Sequence, residues 1–289
     1  MIHSFLVQGC GAALAQRLAP LCSEPLDALL LFSLGADHTK LIDAVARNNV
    51  SCPVFVSETY GILGFDEELN RHVELMEKER GTEYGCVGGS GGQGCLAVAY
   101  SGGGWVCGTD DNFPPERPMM VVSNGSGSWA EVMKRAPLHY GGITKDIWRF
   151  DGVARELVTV PYLWMTEKED LSAGVDPPPT GISAFTGDAA EATRLLLKKL
   201  PNGFRATGSV GLFPCFTRGV NKYGAEDVES GAVSKIIGES TRIYGMFAHG
   251  ELGPSSYSGF ATDVTVNGNG IGCEQHGMTT ILSVHTARK

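Results

Sequence analysis

The sequence lacks any run of about 18 apolar residues, the length that a helix needs to cross a bilayer. It also lacks clustered basic residues: 23 Lys and Arg stand against 32 Asp and Glu, for a formal net charge of -9. Nucleic-acid phosphates and anionic membrane surfaces both need a basic footprint on the protein that binds them. The sequence therefore predicts no membrane span and no nucleic-acid or membrane partner.

The cysteines lack the Cys-x-x-Cys spacing of zinc sites and redox dithiols, although eight of them stand at positions 10, 22, 52, 86, 95, 107, 215 and 273. The first residues, MIHSFLVQGCGAAL, have neither a basic start nor a sustained apolar core, so no secretory signal is expected. We expect reduced, mostly buried thiols in a protein of the cytoplasm or nucleus, with no metal and no cofactor.

Charged residues are scarce at 19%, whereas hydrophobic residues make up 43% of the 289 residues. This balance excludes a wholly disordered chain and allows a sizeable core. The length corresponds to one large domain or two ordinary ones.

One pattern of elements recurs three times: an apolar strand, a helix, a second strand ending near glycine, and a third strand after a variable insert. The opening strands are predicted at 28–35, 119–127 and 210–219, the second strands at 53–61, 137–142 and 242–250, and the third strands at 95–102, 181–187 and 278–286. Helices are predicted at 37–48, 128–135, 188–200 and 225–237. We therefore predict an α/β fold of three repeated strand–helix–strand–strand modules, forming mixed sheets flanked by helices.

The crossover in each module should make its first two strands parallel. Ligands of open α/β sheets lie outside the carboxyl ends of the strands. We name the three segments 57–61, 215–219 and 249–253 the strand-end segments, because each follows or closes a predicted strand. They are predicted to come together around a shared hollow.

The last eighty residues or so carry a resemblance to a known family. An apolar strand ends in Cys215, Arg218 and Gly219; Gly245, Gly250, Glu251, Leu252 and Gly253 follow; a final strand contains His276, Thr279 and Thr280. This order resembles the carboxyl-terminal part of FIST domains, ligand-sensing modules named from F-box and intracellular signal transduction proteins. Similar stretches upstream, DALLLFS, VFVSETYGILG and PLHYGGITKD, extend the resemblance over most of residues 26–289. It is closest to the FIST region of eukaryotic F-box-only proteins.

The resemblance implies a FIST N-like region over 1–190, with two modules and a Gly-rich linker at 80–94, and a FIST C-like region over 191–289. Pro-rich loops are expected at 108–118 and 173–181. It also implies a sensory role in signal transduction, with a small polar metabolite such as an amino acid, or a partner protein, as the ligand. We recognise no F-box helices and no receiver, kinase or methyl-accepting segment, so neither ubiquitin ligation nor a signalling output is carried over.

Residue chemistry leaves several roles open at the predicted hollow. Cys215 is a buried thiol, a ligand contact or a nucleophile. Arg218 either holds an anionic group or forms an internal salt bridge with Glu251 or another acid. Glu251 either holds a cationic group, acts as an acid or base, or is a turn residue that faces water.

The predicted ligand-binding residues are Ser57, Glu58, Thr59, Gly61, Cys215, Arg218, Gly219, His249, Gly250, Glu251, Gly253, His276 and Thr279. No catalytic residue is assigned. One alternative is an enzyme with Cys215 as nucleophile and His249 or His276 as base. Another is a structural or adaptor subunit of a larger assembly, including one that recognises substrates for ubiquitin ligation, which predicts a large exposed apolar patch. The sequence predicts no oligomeric state.

Overall fold

A computed structural model describes residues 1–9, 11–76, 93–109, 118–126, 139–151, 156–167, 180–200, 202–225, 227–238, 240–254, 260–261 and 273–288. The strands are β1 (Ile2–Gln8), β2 (Leu26–Leu34), β3 (Val54–Glu58), β4 (Gly61–Asp66), β5 (Arg71–Met76), β6 (Gly94–Ser101), β7 (Trp105–Gly108), β8 (Met119–Ser123), β9 (His139–Ile143), β10 (Asp146–Asp151), β11 (Glu156–Thr159), β12 (Tyr162–Glu167), β13 (Gly181–Phe185), β14 (Phe204–Pro214), β15 (Arg242–Met246), β16 (Glu251–Pro254), β17 (Phe260–Ala261), β18 (Cys273–His276) and β19 (Thr280–Arg288). The helices are α1 (Ala12–Leu21), α2 (His38–Arg47), α3 (Ala189–Lys198), α4 (Val220–Tyr223) and α5 (Val228–Ile237).

Some predicted features lie outside the described residues. They are the helix at 128–135, most of the Gly-rich linker at 80–94, most of the Pro-rich loops at 108–118 and 173–181, and the cysteines Cys10 and Cys86. No helix in the described part of the chain has the length and apolarity that crossing a bilayer requires.

The strands form two mixed sheets, which confirms the predicted α/β class. Among the described residues, thirteen strands make the large sheet, in the order β11-β10-β3-β2-β6-β1-β4-β15-β14-β19-β13-β17, with β5 paired on β4. Six of the described strands make the small sheet, in the order β18-β16-β9-β8-β12-β7. Strands from both sides of residue 190 share the large sheet, where β4 pairs antiparallel with β15.

Strand β2, inside the large sheet, is buried on both faces, and its sequence is therefore almost continuously apolar. Leu29 and Leu31 face α1 and α2, whereas the alternate residues Leu30 and Phe32 face the small sheet. Helices α3 and α5 cover the remaining part of the large-sheet face that α1 and α2 cover. The fold is therefore a stack of three layers: helices, large sheet and small sheet.

The first two strands of each predicted module are parallel, as the crossover argument requires. The pairs are β2 with β3, β8 with β9, and β14 with β15. An antiparallel strand lies on the other side of each opening strand: β6, β12 and β19 respectively. We call these the three strand triplets.

The middle triplet differs from the prediction in its third strand. The predicted segment 181–187 forms β13, which pairs with β19 in the large sheet, and β12 takes the expected place beside β8. Ile182 and Ala184 pack between the sheets while Phe185 packs beneath the helices, so β13 is buried on both faces, as the large sheet requires. Residues 2–8 and 12–21, to which the sequence pattern assigns no element, form β1 and α1.

Two predicted helices begin at aspartates that cap them. The carboxylate of Asp37 accepts a hydrogen bond from Thr39 N–H at 3.0 Å, and that of Asp188 accepts one from Glu191 N–H at 2.8 Å. The helix predicted at 225–237 begins at Val228, after the separate helix α4.

Candidate functional site

The three strand-end segments meet at the carboxyl ends of β3, β14 and β15. Phe247 N–H donates to the carbonyl of Gly61 at 2.9 Å. The ring centroid of Tyr60 lies 5.7 Å from that of Phe216 and 5.6 Å from that of His249, and the latter two are 5.2 Å apart. The convergence predicted from the strand ends is therefore present in the structure.

Arg218, in the second strand-end segment, is only 1% exposed. Its Nε–H donates to Glu229 at 2.6 Å, and a terminal nitrogen forms a second ionic contact with the same carboxylate. The other N–H groups donate to oxygens of Thr186, Gly187, Tyr223 and Met278 at 2.9–3.3 Å. All five N–H groups are thus donated within the described protein, which corrects the prediction that Arg218 holds an anionic ligand.

The acid that pairs with Arg218 is Glu229, and not Glu251. One oxygen of Glu229 also accepts from Tyr223 Oη at 2.7 Å, and the other accepts from Thr280 Oγ1 at 2.7 Å. Glu229 is not among the residues predicted from the sequence. A signal was available, because Glu229 lies four residues before the buried Val233 and so on the same, core-facing side of α5.

A second polar cluster joins Cys215, Glu251 and Thr279. The Glu251 side chain is fully buried, its Oε2 accepts a hydrogen bond from Thr279 N–H at 3.1 Å, and the Cys215 thiol lies close to the carboxylate. Burial raises the pKa of Glu251 to about 7. Burial, and secondly the nearby carboxylate, raise the pKa of the Cys215 thiol. Glu251 is not a water-facing turn residue, and Cys215 is held as a neutral thiol.

Cys215 is expected to resist alkylation in the folded protein. At pH 7 its reaction with iodoacetamide should be roughly 100-fold slower than in urea-unfolded protein, because the thiolate is the reactive form and burial disfavours it. The measurement is time-resolved mass mapping of the Cys215 peptide. A folded-state rate equal to that of the unfolded chain would contradict this assignment and favour the enzyme alternative.

The two histidines of the enzyme alternative lie in different surroundings. His276 is buried, and its Nε2–H donates to the carbonyl of Pro254 at 2.7 Å. His249 is exposed and packs its ring against Tyr60 and Phe216. The His276 hydrogen bond therefore links β18 to β16 within the small sheet, whereas the His249 side chain lies at the surface.

The first strand-end segment is held by its own polar groups. Ser57 Oγ donates to Thr144 Oγ1 at 3.1 Å, and Thr144 donates in turn to the Glu58 carbonyl. The N–H and the hydroxyl of Thr59 both donate to the Ser33 carbonyl, at 2.9 and 3.1 Å. These contacts fix the end of β3 against β2 and against the β9–β10 connection.

The predicted glycines make room for protein side chains. A Cβ at Gly61 or at Gly219 would come within 2.8 Å of the Phe247 ring, and Gly219 also has a φ of +64°. Gly250 and Gly253 are packed in the same way against Gln275 and Ile281. The glycines therefore explain close packing at the convergence and do not by themselves indicate a ligand.

A cavity of about 530 Å³ lies beside the ring cluster of Tyr60, Phe216 and His249, and we call it the strand-end cavity. It is lined by Tyr60, Asn124, Gly125, Ile143, Thr144, Lys145, His249 and Gln275. Most of these residues follow the carboxyl ends of β3, β8, β9 and β15, where α/β sheets place their ligands. All three strand triplets therefore contribute to the lining.

Only some of the predicted residues line this cavity. His249 belongs to the predicted set and Tyr60 to a strand-end segment, but the middle triplet's strand ends, 124–125 and 143–145, are missed. The same signal was present there, since SNG follows an apolar strand at 123–125 and GGIT at 141–144 closes its parallel partner. The hollow is therefore shifted toward the middle triplet.

A second cavity, of about 570 Å³, lies at the other end of β3. Its lining is Ser51, Cys52, Pro53, Thr109, Arg149, Phe150, Val158 and Val160. Burial raises the pKa of the Cys52 thiol to about 12, so that thiol stays neutral. This cavity is formed at the amino end of β3 and shares no lining residue with the strand-end cavity.

Comparison with protein-family models and with curated proteins gave no match to this chain. Within the described residues, no group of three or more His, Cys, Asp or Glu side chains is placed to hold a metal ion. Within the described part of the chain, these two cavities and the buried polar clusters are features from which a function can be inferred.

Proposed function

We propose that this chain is a ligand-binding module of the FIST type, with a sensory role, and that it holds a small polar metabolite in the strand-end cavity. The observation that carries this proposal is the lining, which unites strand ends from all three triplets at the carboxyl side of the sheets. The volume of about 530 Å³ is that of an ordinary small-molecule site. The resemblance of the strand-end segments to FIST domains supports the same function.

Two buried polar clusters brace the strand-end segments 215–219 and 249–253. Buried Arg218 and Glu229 join α5 to the turns after β13 and β18, and Glu251 joins β16 to the start of β19. Binding residues on loops are effective when a rigid scaffold positions them. In this proposal the FIST-like motif residues support the site, and the loops beside them contact the ligand.

The enzyme and adaptor alternatives have less support. Cys215 is 5% exposed, has a raised pKa and lines neither of the two cavities. An adaptor surface calls for a contiguous apolar patch. In the described part of the chain, the exposed large apolar side chains come from separate segments of the sequence: Met1, Leu69, Val158, Val228 and Met278.

A Gln275→Trp substitution is expected to abolish ligand binding, because an indole at this lining position would occupy the cavity. The matched control is Glu274→Trp, since neighbouring strand residues point to opposite faces and Glu274 is exposed outside the lining. Native mass spectrometry of freshly purified protein should show a small-molecule adduct on the wild type and on Glu274→Trp only. Dialysed protein should be stabilised by members of a panel of amino acids and organic acids, in the same two variants.

Two results would reject the proposal. One is an adduct that persists in Gln275→Trp. The other is a wild-type protein that carries no adduct and gains no thermal stability from any compound of the panel.

A further inference from the structure

The first turn of helix α5 is joined to strand β5 by two carboxylates, one from each element. On β5, Oε1 of Glu74 accepts hydrogen bonds from the N–H of Ser230 at 3.2 Å and from its hydroxyl at 2.9 Å. At the start of the helix, Asp227 accepts from the N–H of Glu74 at 2.8 Å and forms an ion pair with Arg71. Glu74 therefore acts as an N-cap for α5, supplied from a strand 156 residues away in the sequence.

Glu74 is poorly placed to carry a negative charge. Its side chain is buried, and within the described part of the chain its second oxygen, Oε2, has no hydrogen-bond partner. The nearby carboxylates of Asp227 and Glu229 repel a charge on it. Burial has the largest effect and outweighs the two hydrogen bonds from Ser230, so the pKa of Glu74 is raised to about 7.

Other charged and titratable groups packed around this contact do not neutralise Glu74. Burial lowers the pKa of His72, on the same face of β5, to about 4, so its ring is neutral from pH 6 to pH 8. The pKa of the Tyr223 hydroxyl on α4 is raised, so it is neutral too. Three nearby arginines each face another group: Arg71 faces Asp227, Arg218 faces Glu229, and Arg242 lies over the Phe65 ring.

We propose that Glu74 is a proton-dependent latch for α5: its protonated carboxyl keeps the first turn of the helix against β5, and its ionised carboxylate weakens that contact. This inference does not depend on a ligand in the strand-end cavity. Helix α5 also carries Glu229, the acid that pairs with Arg218. A weakened latch would therefore loosen the support of the second strand-end segment, 215–219.

The direction of the pH effect follows from proton linkage. In a released helix Glu74 would face water and have an ordinary pKa of about 4.3, so the docked helix binds the proton more tightly. The stability that this proton gives to docking is complete below about pH 4.3. It is lost as the pH rises through the docked-state pKa of about 7.

The test is hydrogen exchange of the amides of α5 between pH 6 and pH 8, measured by mass spectrometry and corrected for the intrinsic exchange rate. Protection should fall roughly 10-fold in the wild type, because over this range the released form is already ionised while the docked form loses its proton. In Glu74→Gln, which cannot ionise, it should change less than about 2-fold. The matched control is Glu251→Gln, which removes the other buried carboxyl with a pKa of about 7 and should keep the wild-type dependence.

Three results would overturn the latch: protection in the wild type that does not fall, a fall that persists in Glu74→Gln, or a fall that Glu251→Gln also reduces. The last would mean that the amides exchange by unfolding of the whole protein, which exposes both carboxyls. Should Glu74→Gln not fold, a ¹³C NMR titration of the Glu74 carboxyl in the wild type decides. Its midpoint is expected near pH 7, and a midpoint below about pH 5, close to the ordinary value, would overturn the proposal.

Discussion

Arg218→Met is expected to lower the free energy of unfolding by about 3–5 kcal/mol, because it leaves the Glu229 carboxylate buried without its cation. Glu229 is 2% exposed and would lose its ionic partner while keeping only neutral donors. The carbonyls of Thr186, Gly187 and Met278 would lose a donor at the same time. Urea unfolding at pH 7, followed by circular dichroism, measures the loss.

The control is Arg194→Met on the exposed side of α3, for which a change below about 0.5 kcal/mol is expected. Arg218→Met combined with Glu229→Gln should be more stable than Arg218→Met alone, because the unpaired charge is then removed. An Arg218→Met protein within about 1 kcal/mol of the wild type would show that the buried pair does not stabilise the convergence.

Gly245→Ala is expected to disrupt the central strands β14 and β15, at a cost of about 3 kcal/mol or more. A Cβ at this position would lie 1.8 Å from the carbonyl oxygen of Leu212 and 2.8 Å from its carbon, and backbone cannot yield as a flexible side chain can. The pairing of β15 with β4 on its other side leaves little room for β15 to move. Thermal unfolding and the yield of folded protein measure the effect.

Gly231→Ala is the matched glycine control and should have the opposite sign. Gly231 lies inside α5, and a Cβ there meets no described atom within 4 Å. Replacing an interior helical glycine by alanine stabilises by about 0.5–1 kcal/mol. If both alanine variants were equally destabilised, close backbone approach would not be the reason for Gly245.

The α/β class and the parallel strand pairs could be predicted because they depend on local pattern. The apolar run at β2 and the aspartate caps at Asp37 and Asp188 lie within a few residues of the elements that they specify. The membership of β13 could not be predicted in this way. Its five residues suit either sheet, and only their long-range pairing with β19 decides.

The convergence of the strand ends could be predicted from the sequence, but not which of their polar residues bond to other groups of the protein. Polar residues at strand ends indicate a ligand or a buried ion pair equally well, because both need the same side chains at the same places. Arg218 is paired with Glu229, eleven residues away across a turn and a helix, and that partner can be identified only from the three-dimensional structure. The cavity itself lies beside Ile143–Lys145, and its volume depends on how side chains from distant strand ends pack, which the local strand-end pattern does not specify.

The Ile143–Lys145 connection has a thermodynamic consequence. The chain leaves the small sheet at Ile143 and enters the large sheet at Asp146, so the two layers are joined covalently at the rim of the cavity. Separating the two sheets would break the backbone hydrogen bonds of Ile143–Lys145 and open the cavity at the same time. A bound molecule would therefore add its binding free energy to the cohesion of the whole two-sheet body, and not to one loop alone.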